Sequence, residues 1–284
     1  MIKVPKEIKY AELYFTIRCN LKCSYCINNY DTTLKRARVE VPAVELARHL
    51  NRIDFKDLPL TIGGGEPTVR KDFFELLRLL RSDINIDLLT NLSFDVENFV
   101  QETHPSRFTH HSNSAYKSIR VSYHPQQMNP EELVAKVSFL QDKGFQVGIF
   151  GISHPLNTEA NIRMSELSRK SKVYFFIKDF LGTYNGHLFG FYKYPKGLDK
   201  IAKKCVCRTN ELLIGPDGST YKCHQDLYNL QYPVSSILDK EFKIDYQFRE
   251  CQLFGMCNPC DLKLKANRFL DMGYCSVEIE ENTV

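Results

Sequence analysis

The chain has 284 residues, 43% hydrophobic and 25% charged, with a formal net charge of +4 at pH 7. This is ordinary globular usage, enough for one large domain with an appendage or for two domains. No stretch approaches the ~18 apolar residues of a membrane span, residues 1–7 lack the apolar core of a secretory signal, and the mild charge without a basic run calls for no nucleic acid, so a cytoplasmic protein is expected.

Short apolar runs alternate with amphipathic runs from residue 10 to 180. Residues 11–17 read as a strand, and 42–50 as a helix with Pro42 near its first turn. Residues 58–62 form the next strand, which ends in Gly63-Gly64-Gly65. Residues 71–80 read as a helix whose apolar face carries Phe73, Leu76, Leu77 and Leu80. A strand over 84–89 and a short helix from about Asp95 follow, then a strand over 119–123. Residues 130–143 give the clearest helix, with Leu133, Val137 and Leu140 on one stripe and Gly144 as a stop signal. Residues 145–152, 159–169 and 173–177 complete the series as strand, helix and strand. Alternation of this kind implies βαβ units, a parallel sheet and right-handed crossovers. Six units are too few for an eight-fold barrel, so the expected fold is α/β, a partial (βα)6 TIM-like barrel.

In such folds the chemistry sits at the carboxyl ends of the strands. Cys19, Cys23 and Cys26 follow the first strand, the glycine run the second, Thr90-Asn91 the third, His124 the fourth and His154 the fifth, while Lys178 and Asp179 follow the sixth. His124, His154 and Lys178 are therefore placed to face a substrate; for each histidine the competing reading is a hydrogen-bonded structural group. His104, His110 and His111 fall on the opposite end and read as surface. The pattern loosens after Gly182, giving a core domain over 1–181, a linker or lid over 182–204, and a cysteine-rich extension over 205–284.

Ten cysteines fall in two blocks with none between. In a reducing compartment such clusters bind metal more often than they form disulfides. The first block, C-x-x-x-C-x-x-C, places three thiolates around three corners of a cubane cluster and leaves the fourth iron without a chain ligand; ordinary electron-transfer cubanes use four cysteines. Zinc, the alternative, prefers a closed set of four ligands, and no histidine lies in this loop.

Cys19, Cys23 and Cys26, with Tyr25 before the last, resemble the signature of the radical S-adenosylmethionine (SAM) superfamily. The resemblance covers residues 10–180. It implies a [4Fe–4S] cluster whose open iron binds the amino and carboxylate groups of SAM, and reductive cleavage to a 5′-deoxyadenosyl radical that abstracts hydrogen from a substrate. It also implies a low-potential electron donor such as flavodoxin or ferredoxin. Gly63-Gly64-Gly65-Glu66-Pro67 is similar to the family's Gly-Gly-Glu motif, which gives Gly64, Gly65 and Glu66 to the cofactor's amino group. Asn91 stands where relatives end the third strand in Thr-Asn-Gly, with Leu92 in place of the glycine. Ser122 stands where relatives touch the cofactor ribose.

In the second block, Gly215-Pro216-Asp217-Gly218 is a turn between two short strands. That hairpin would bring Cys207 and Cys223 near one another, and Cys257-Asn258-Pro259-Cys260 supplies a tight pair. The order resembles the SPASM and twitch extensions of radical enzymes. The resemblance implies that Cys207, Cys223, Cys257 and Cys260 hold one auxiliary [4Fe–4S] cluster, with Cys205, Cys251 and Cys275 left for a second. A zinc ribbon is the alternative for this block taken alone. The expected reaction is oxidation or epimerisation of a small polar metabolite such as a sugar. Modification of a peptide side chain is the alternative, and a zinc-bearing nucleic-acid binder the remote one.

Overall fold

The computed structural model describes residues 1–28, 39–112, 116–265 and 274–280. Its centre is a nine-stranded sheet. The first part alternates strands and helices: β1 (Tyr10–Thr16), α1 (Ala43–Leu50), β2 (Leu60–Gly64), α2 (Phe73–Leu79), β3 (Ile86–Thr90), α3 (Val96–Glu102), β4 (Ile119–Ser122), α4 (Pro130–Asp142), β5 (Val147–Ile152), α5 (Thr158–Lys170) and β6 (Phe175–Lys178). Each strand from β1 to β6 pairs in parallel with the next. Local chemistry sets the helix ends. The Asp95 carboxylate accepts from the N–H groups of Glu97 and Asn98, and Asn129 caps α4 ahead of Pro130. Gly144 follows α4 at φ +89°, as a helix stop requires.

The last third does not stand apart from this sheet. After β7 (Lys203–Thr209), β8 (Glu211–Ile214) pairs in parallel with β1, with Glu211 opposite Tyr10. Then β9 (Ser219–Tyr221) and β10 (Ser235–Ser236) extend the sheet antiparallel. The sheet order is β10-β9-β8-β1-β2-β3-β4-β5-β6. The expected hairpin forms, with Leu213 opposite Tyr221, and its strands extend the same sheet as β1 to β6. A second sheet joins β7 to β11 (Arg249–Phe254) on one side and β12 (Val277–Glu280) on the other. Two short helices, α6 (His224–Asn229) and α7 (Pro259–Leu262), lie in this part. The segment read as a linker also carries structure. Gly182–Tyr184 and His187–Phe189 form a hairpin whose turn residues, Asn185 and Gly186, both have positive φ, the Asn-Gly turn that suits strand twist.

Side chains alternate across each strand. Ala11, Leu13 and Phe15 of β1 enter the main core with Leu46 and Leu50 of α1 and Phe73 and Leu76 of α2, all nearly fully buried. Each such leucine contributes ~1.5–3 kcal/mol by leaving water. The opposite phase puts Glu12, Asp87, Arg120, Lys178 and Glu211 on the face turned away from that core. No helix among the described residues is long and apolar enough to cross a membrane.

Candidate functional site

The glycine run crosses directly over the chain entering the first cysteine loop. Gly65 N–H donates to Thr16 O at 2.8 Å and Glu66 N–H to Arg18 O at 2.8 Å, and Asn28 Nδ2 donates to Gly64 O at 2.9 Å. A Cβ on Gly64 would stand 2.1 Å from Thr16 O, and one on Gly65 2.0 Å from Arg18 O, both backbone atoms. Gly64 also sits at φ +120°. Glycine is thus required for contact with the cysteine loop.

The three thiols lie in one partly exposed loop. Their sulfur atoms accept from N–H groups: Leu21 N to Cys19 Sγ at 3.4 Å, Asn91 Nδ2 to Cys19 Sγ at 3.9 Å, and Gln127 Nε2 to Cys23 Sγ at 3.4 Å. Burial, and then the charge of the neighbouring cysteines, pushes the Cys23 thiol up to about 11; burial also raises Cys19. Cys19 and Cys23 would stay protonated at neutral pH unless an electropositive centre drew the protons off. Crowded thiols with N–H donors aimed at sulfur are a donor set that fits three corners of an iron–sulfur cluster. Among the described residues no three such groups have the geometry of a single-ion site.

Glu66 is fully buried. Its Oε1 accepts from Thr68 N (3.2 Å), Thr68 Oγ1 (2.7 Å) and Thr90 Oγ1 (2.8 Å), and Oε2 from Asn91 N at 2.6 Å. The carboxylate therefore ties the end of β2 to the end of β3, with three hydrogen bonds at Oε1 and one at Oε2 among the described contacts. Asn91 reaches the cysteine loop by donating to Asn20 Oδ1 at 2.8 Å. Leu92, in the place of the family glycine, takes φ +57°. Ser122 ends β4 on the same face as Arg120.

Tyr25 leans on both strand-end histidines. Its hydroxyl lies 3.2 Å from His124 Nδ1 and donates to Gln126 Oε1 at 3.3 Å, while its ring stacks on His154 at 5.1 Å. Burial pushes His124 down to about 4, so it is neutral at pH 7. His154 Nδ1 accepts from Leu156 N–H, and its ring meets Phe180 and Tyr184 edge-on. The two histidines hold Tyr25, and with it the loop.

The polar face carries Glu12, Asp87 and Arg120, which the sequence reading left aside, together with Lys178, which it named. Arg120 donates to Asp87 at 2.9 Å and His111 Nε2 lies 3.0 Å from the same carboxylate. His111 is buried, which corrects its reading as surface; His104 and His110 are exposed. Burial pushes the Glu12 carboxyl up to about 7, and the Glu211 charge adds to this. Lys178 points the other way: burial, then the charges of Arg120 and Lys263, push it down to about 7. Its Nζ sits 4.6 Å from the centre of the Phe150 ring. Two-residue periodicity was the available signal, since Glu12, Asp87, Arg120 and Lys178 all occupy the phase opposite the apolar one.

The second block regroups the remaining thiols. The C-x-C pair on β7 puts Cys205 and Cys207 on one face, and Cys251 of β11 stands opposite Cys205. Hydrogen bonds from Cys205 and then Cys207 hold the Cys251 thiol far below its usual range. Cys257 packs against this trio and also against the Leu262–Cys275 cluster, where Cys223 lies. Cys207 and Cys223 are close enough for their charges to interact. Cys275 is buried and donates to Asp261 O at 3.1 Å. Cys260 acts instead on the polar face, where its charge reaches Lys178, Lys263 and Lys265. Asn258, inside the C-x-x-C pair, donates to Ile27 O at 3.2 Å, so the two cysteine blocks touch.

A three-thiol loop pinned by glycines to the carboxyl end of a parallel sheet, over a charged face, makes this an α/β protein with a central, largely parallel sheet. Residues 13–110 match the family model described as the Radical SAM superfamily. It is 35% identical over 87 residues to a probable GTP 3′,8-cyclase of Pyrococcus abyssi, covering 30% of this chain and 28% of that protein. It is 30% identical over 107 residues to the 7-carboxy-7-deazaguanine synthase of Clostridium acetobutylicum, 36% of this chain and 48% of that protein. The chain thus spans less than half the length of these relatives. Among solved structures, Streptococcus suis SuiB superposes with a TM-score of 0.55 at 15% identity, over 82% of this chain and 64% of that one. Native anSMEcpe with bound AdoMet gives 0.54 at 15% identity, over 81% and 78%. At such identities these two show the fold alone.

Proposed function

We propose that this chain binds a [4Fe–4S] cluster through Cys19, Cys23 and Cys26, and SAM beside it, within a partial (βα)6 barrel. The observation that carries this is the loop itself: three thiols within eight residues, with N–H donors on Cys19 and Cys23, clamped by glycines over a charged sheet face. When bound, the pair supplies a reductively generated 5′-deoxyadenosyl radical that takes a hydrogen atom from the substrate.

The chain's own residues do the rest. Gly64 and Gly65 let the loop close on the sheet, Tyr25 orients it through His124 and His154, and Glu66 offers Oε2 to a cationic group. Asn91 and Ser122 line the strand ends where the cofactor would lie. Glu12 and Lys178 both exchange protons near neutrality, which suits general acid–base work on a substrate held against the polar face. Thiols among Cys205, Cys207, Cys223, Cys251, Cys257 and Cys260 would hold one or two auxiliary clusters that accept an electron. The charged face favours a small polar metabolite, a sugar among them, turned over in a cytoplasmic setting with a flavodoxin or ferredoxin as donor. A peptide side chain is the second reading. It is favoured by the resemblance of 81% of the chain to anSMEcpe, whose structures include one with AdoMet and the Cp18Cys peptide.

The test is anaerobic reconstitution followed by SAM and a strong reductant. The wild type should release 5′-deoxyadenosine and Cys23→Ala should not. Colourless protein carrying stoichiometric zinc at the first block would overturn the proposal.

A further inference from the structure

Asp261 follows Cys260 on α7 and is 1% exposed. Among the described contacts its carboxylate is held by N–H groups. Oδ1 accepts from His224 N at 2.7 Å and from His224 Nδ1 at 2.8 Å, and Oδ2 accepts from Gln225 N at 3.1 Å. A buried carboxylate is tolerated where such charge-assisted bonds replace its water.

These bonds land on the chain immediately after another cysteine. Cys223 stands at the N-cap of α6 in extended conformation and makes no side-chain cap bond. Ser, Thr, Asp or Asn at that position would cap the helix itself, whereas sulfur is a weak acceptor. The cap comes from α7 instead. The main chain of Asp261 is engaged as well: its N–H donates to Asn258 O at 2.9 Å, and its carbonyl accepts from Cys275 Sγ at 3.1 Å. Asn258 Oδ1 in turn accepts from Cys260 N–H at 2.8 Å. Leu262, the next residue, belongs to the cluster in which Cys223, Cys257 and Cys275 pack together. With Nδ1 bound to Asp261, the His224 ring is fixed so that Nε2 lies 3.6 Å from Glu211 Oε2 on β8.

We infer that Asp261 is the positioning residue of the second cysteine block: it fixes Cys223 against Cys260, and so sets the spacing of the thiolates that a cluster there would need. The inference rests on the proposal that this block holds an auxiliary cluster, and it deepens that proposal by assigning Cys223 and Cys260 to one site built around α7. Asp261 acts through the backbone beside both cysteines and is not itself a ligand. None of its hydrogen bonds among the described residues falls on the β7–β11 ladder, where Cys205, Cys207 and Cys251 stand.

The test uses the full chain with Cys19→Ala, Cys23→Ala and Cys26→Ala combined, so that iron taken up in anaerobic reconstitution belongs to the second block. On that background Asp261→Ala should lose about four iron atoms per chain, one cubane, together with that cluster's electron paramagnetic resonance signal after reduction. Asp261→Asn keeps an acceptor for His224 but offers none to Gln225 N–H; it should retain iron and shift the signal. Tyr228→Phe removes a buried hydrogen bond of the same helix, between the Tyr14 and Tyr228 hydroxyls at 3.0 Å, and should change neither iron nor signal. Iron and signal unchanged in Asp261→Ala would overturn the inference, as would a loss in Tyr228→Phe as large as in Asp261→Ala. Where circular dichroism shows Asp261→Ala unfolded, an unchanged signal in Asp261→Asn overturns it. Each of these outcomes leaves the auxiliary cluster standing, whereas a background chain that takes up no iron removes both.

Discussion

Glu12→Gln tests whether the charged face is held at the expense of stability. Glu12 is 3% exposed on the central strand β1. Burial, reinforced by Glu211, raises its carboxyl from 4.5 to about 7 against the pull of His224, Lys265 and Arg120. An acid with a raised folded-state pKa keeps its proton after the unfolded chain has released its own. Stability from this group therefore falls as pH rises from about 4.5 to about 7, and is flat above. At about 1.4 kcal/mol per unit, a shift of this size amounts to about 3 kcal/mol at neutrality. Glutamine keeps the shape and loses the titration. Any cost of burying the amide is constant with pH, so the diagnostic quantity is the change in the gap between the two proteins. Urea-unfolding midpoints, measured anaerobically near pH 5 and near pH 8, should show Glu12→Gln gaining on the wild type by about 2.5 kcal/mol at the higher pH, since part of the shift is already lost at pH 5. A gap that stays constant across that range would refute the reasoning.

Gly65→Ala drives a Cβ to 2.0 Å from Arg18 O, where backbone must yield; iron bound at the first thiol block and its visible absorbance should both fall, and wild-type iron content would contradict the clamp. Leu92→Gly relieves a left-handed residue worth ~1–2 kcal/mol but removes a core side chain worth ~2–5 kcal/mol; burial should win, so the variant should be less stable in urea, and a gain would show that strain dominates. Asp87→Asn leaves the buried Arg120 without its charge partner; a loss of ~3–5 kcal/mol is expected, and a change under ~1 kcal/mol would mean that the network relaxes.

The repeating part of the fold was legible because its signals are local. Each strand from β1 to β6 and each intervening helix lies within a few residues of the position expected from apolar periodicity, and Gly144 ends α4 as a left-handed stop should. The cysteine loop, glycine run, Asn91, His124, His154 and Lys178 all emerge at strand ends for the same reason. What escaped was long-range or a matter of phase. Nothing in residues 211–214 announces a parallel partner near residue 10. Asn185-Gly186 is a hairpin signal that the surrounding aromatic and glycine residues obscured. His111 reads as surface until Asp87, on β3, is set beside it. The regrouping of Cys205, Cys207 and Cys251 depends on β7 and β11 lying side by side, a register that no cysteine spacing encodes.

The parallel pairing of β8 with β1 has a consequence for biogenesis. The strand that opens onto the cysteine loop has one flank covered by β2 and the other by residues synthesised about two hundred positions later. Contacts so distant in sequence form late and slowly. During translation β1 would present an unpaired, apolar-rich edge, an aggregation hazard for nascent or truncated chains. Fragments ending near residue 181 should therefore be poor surrogates for the whole chain.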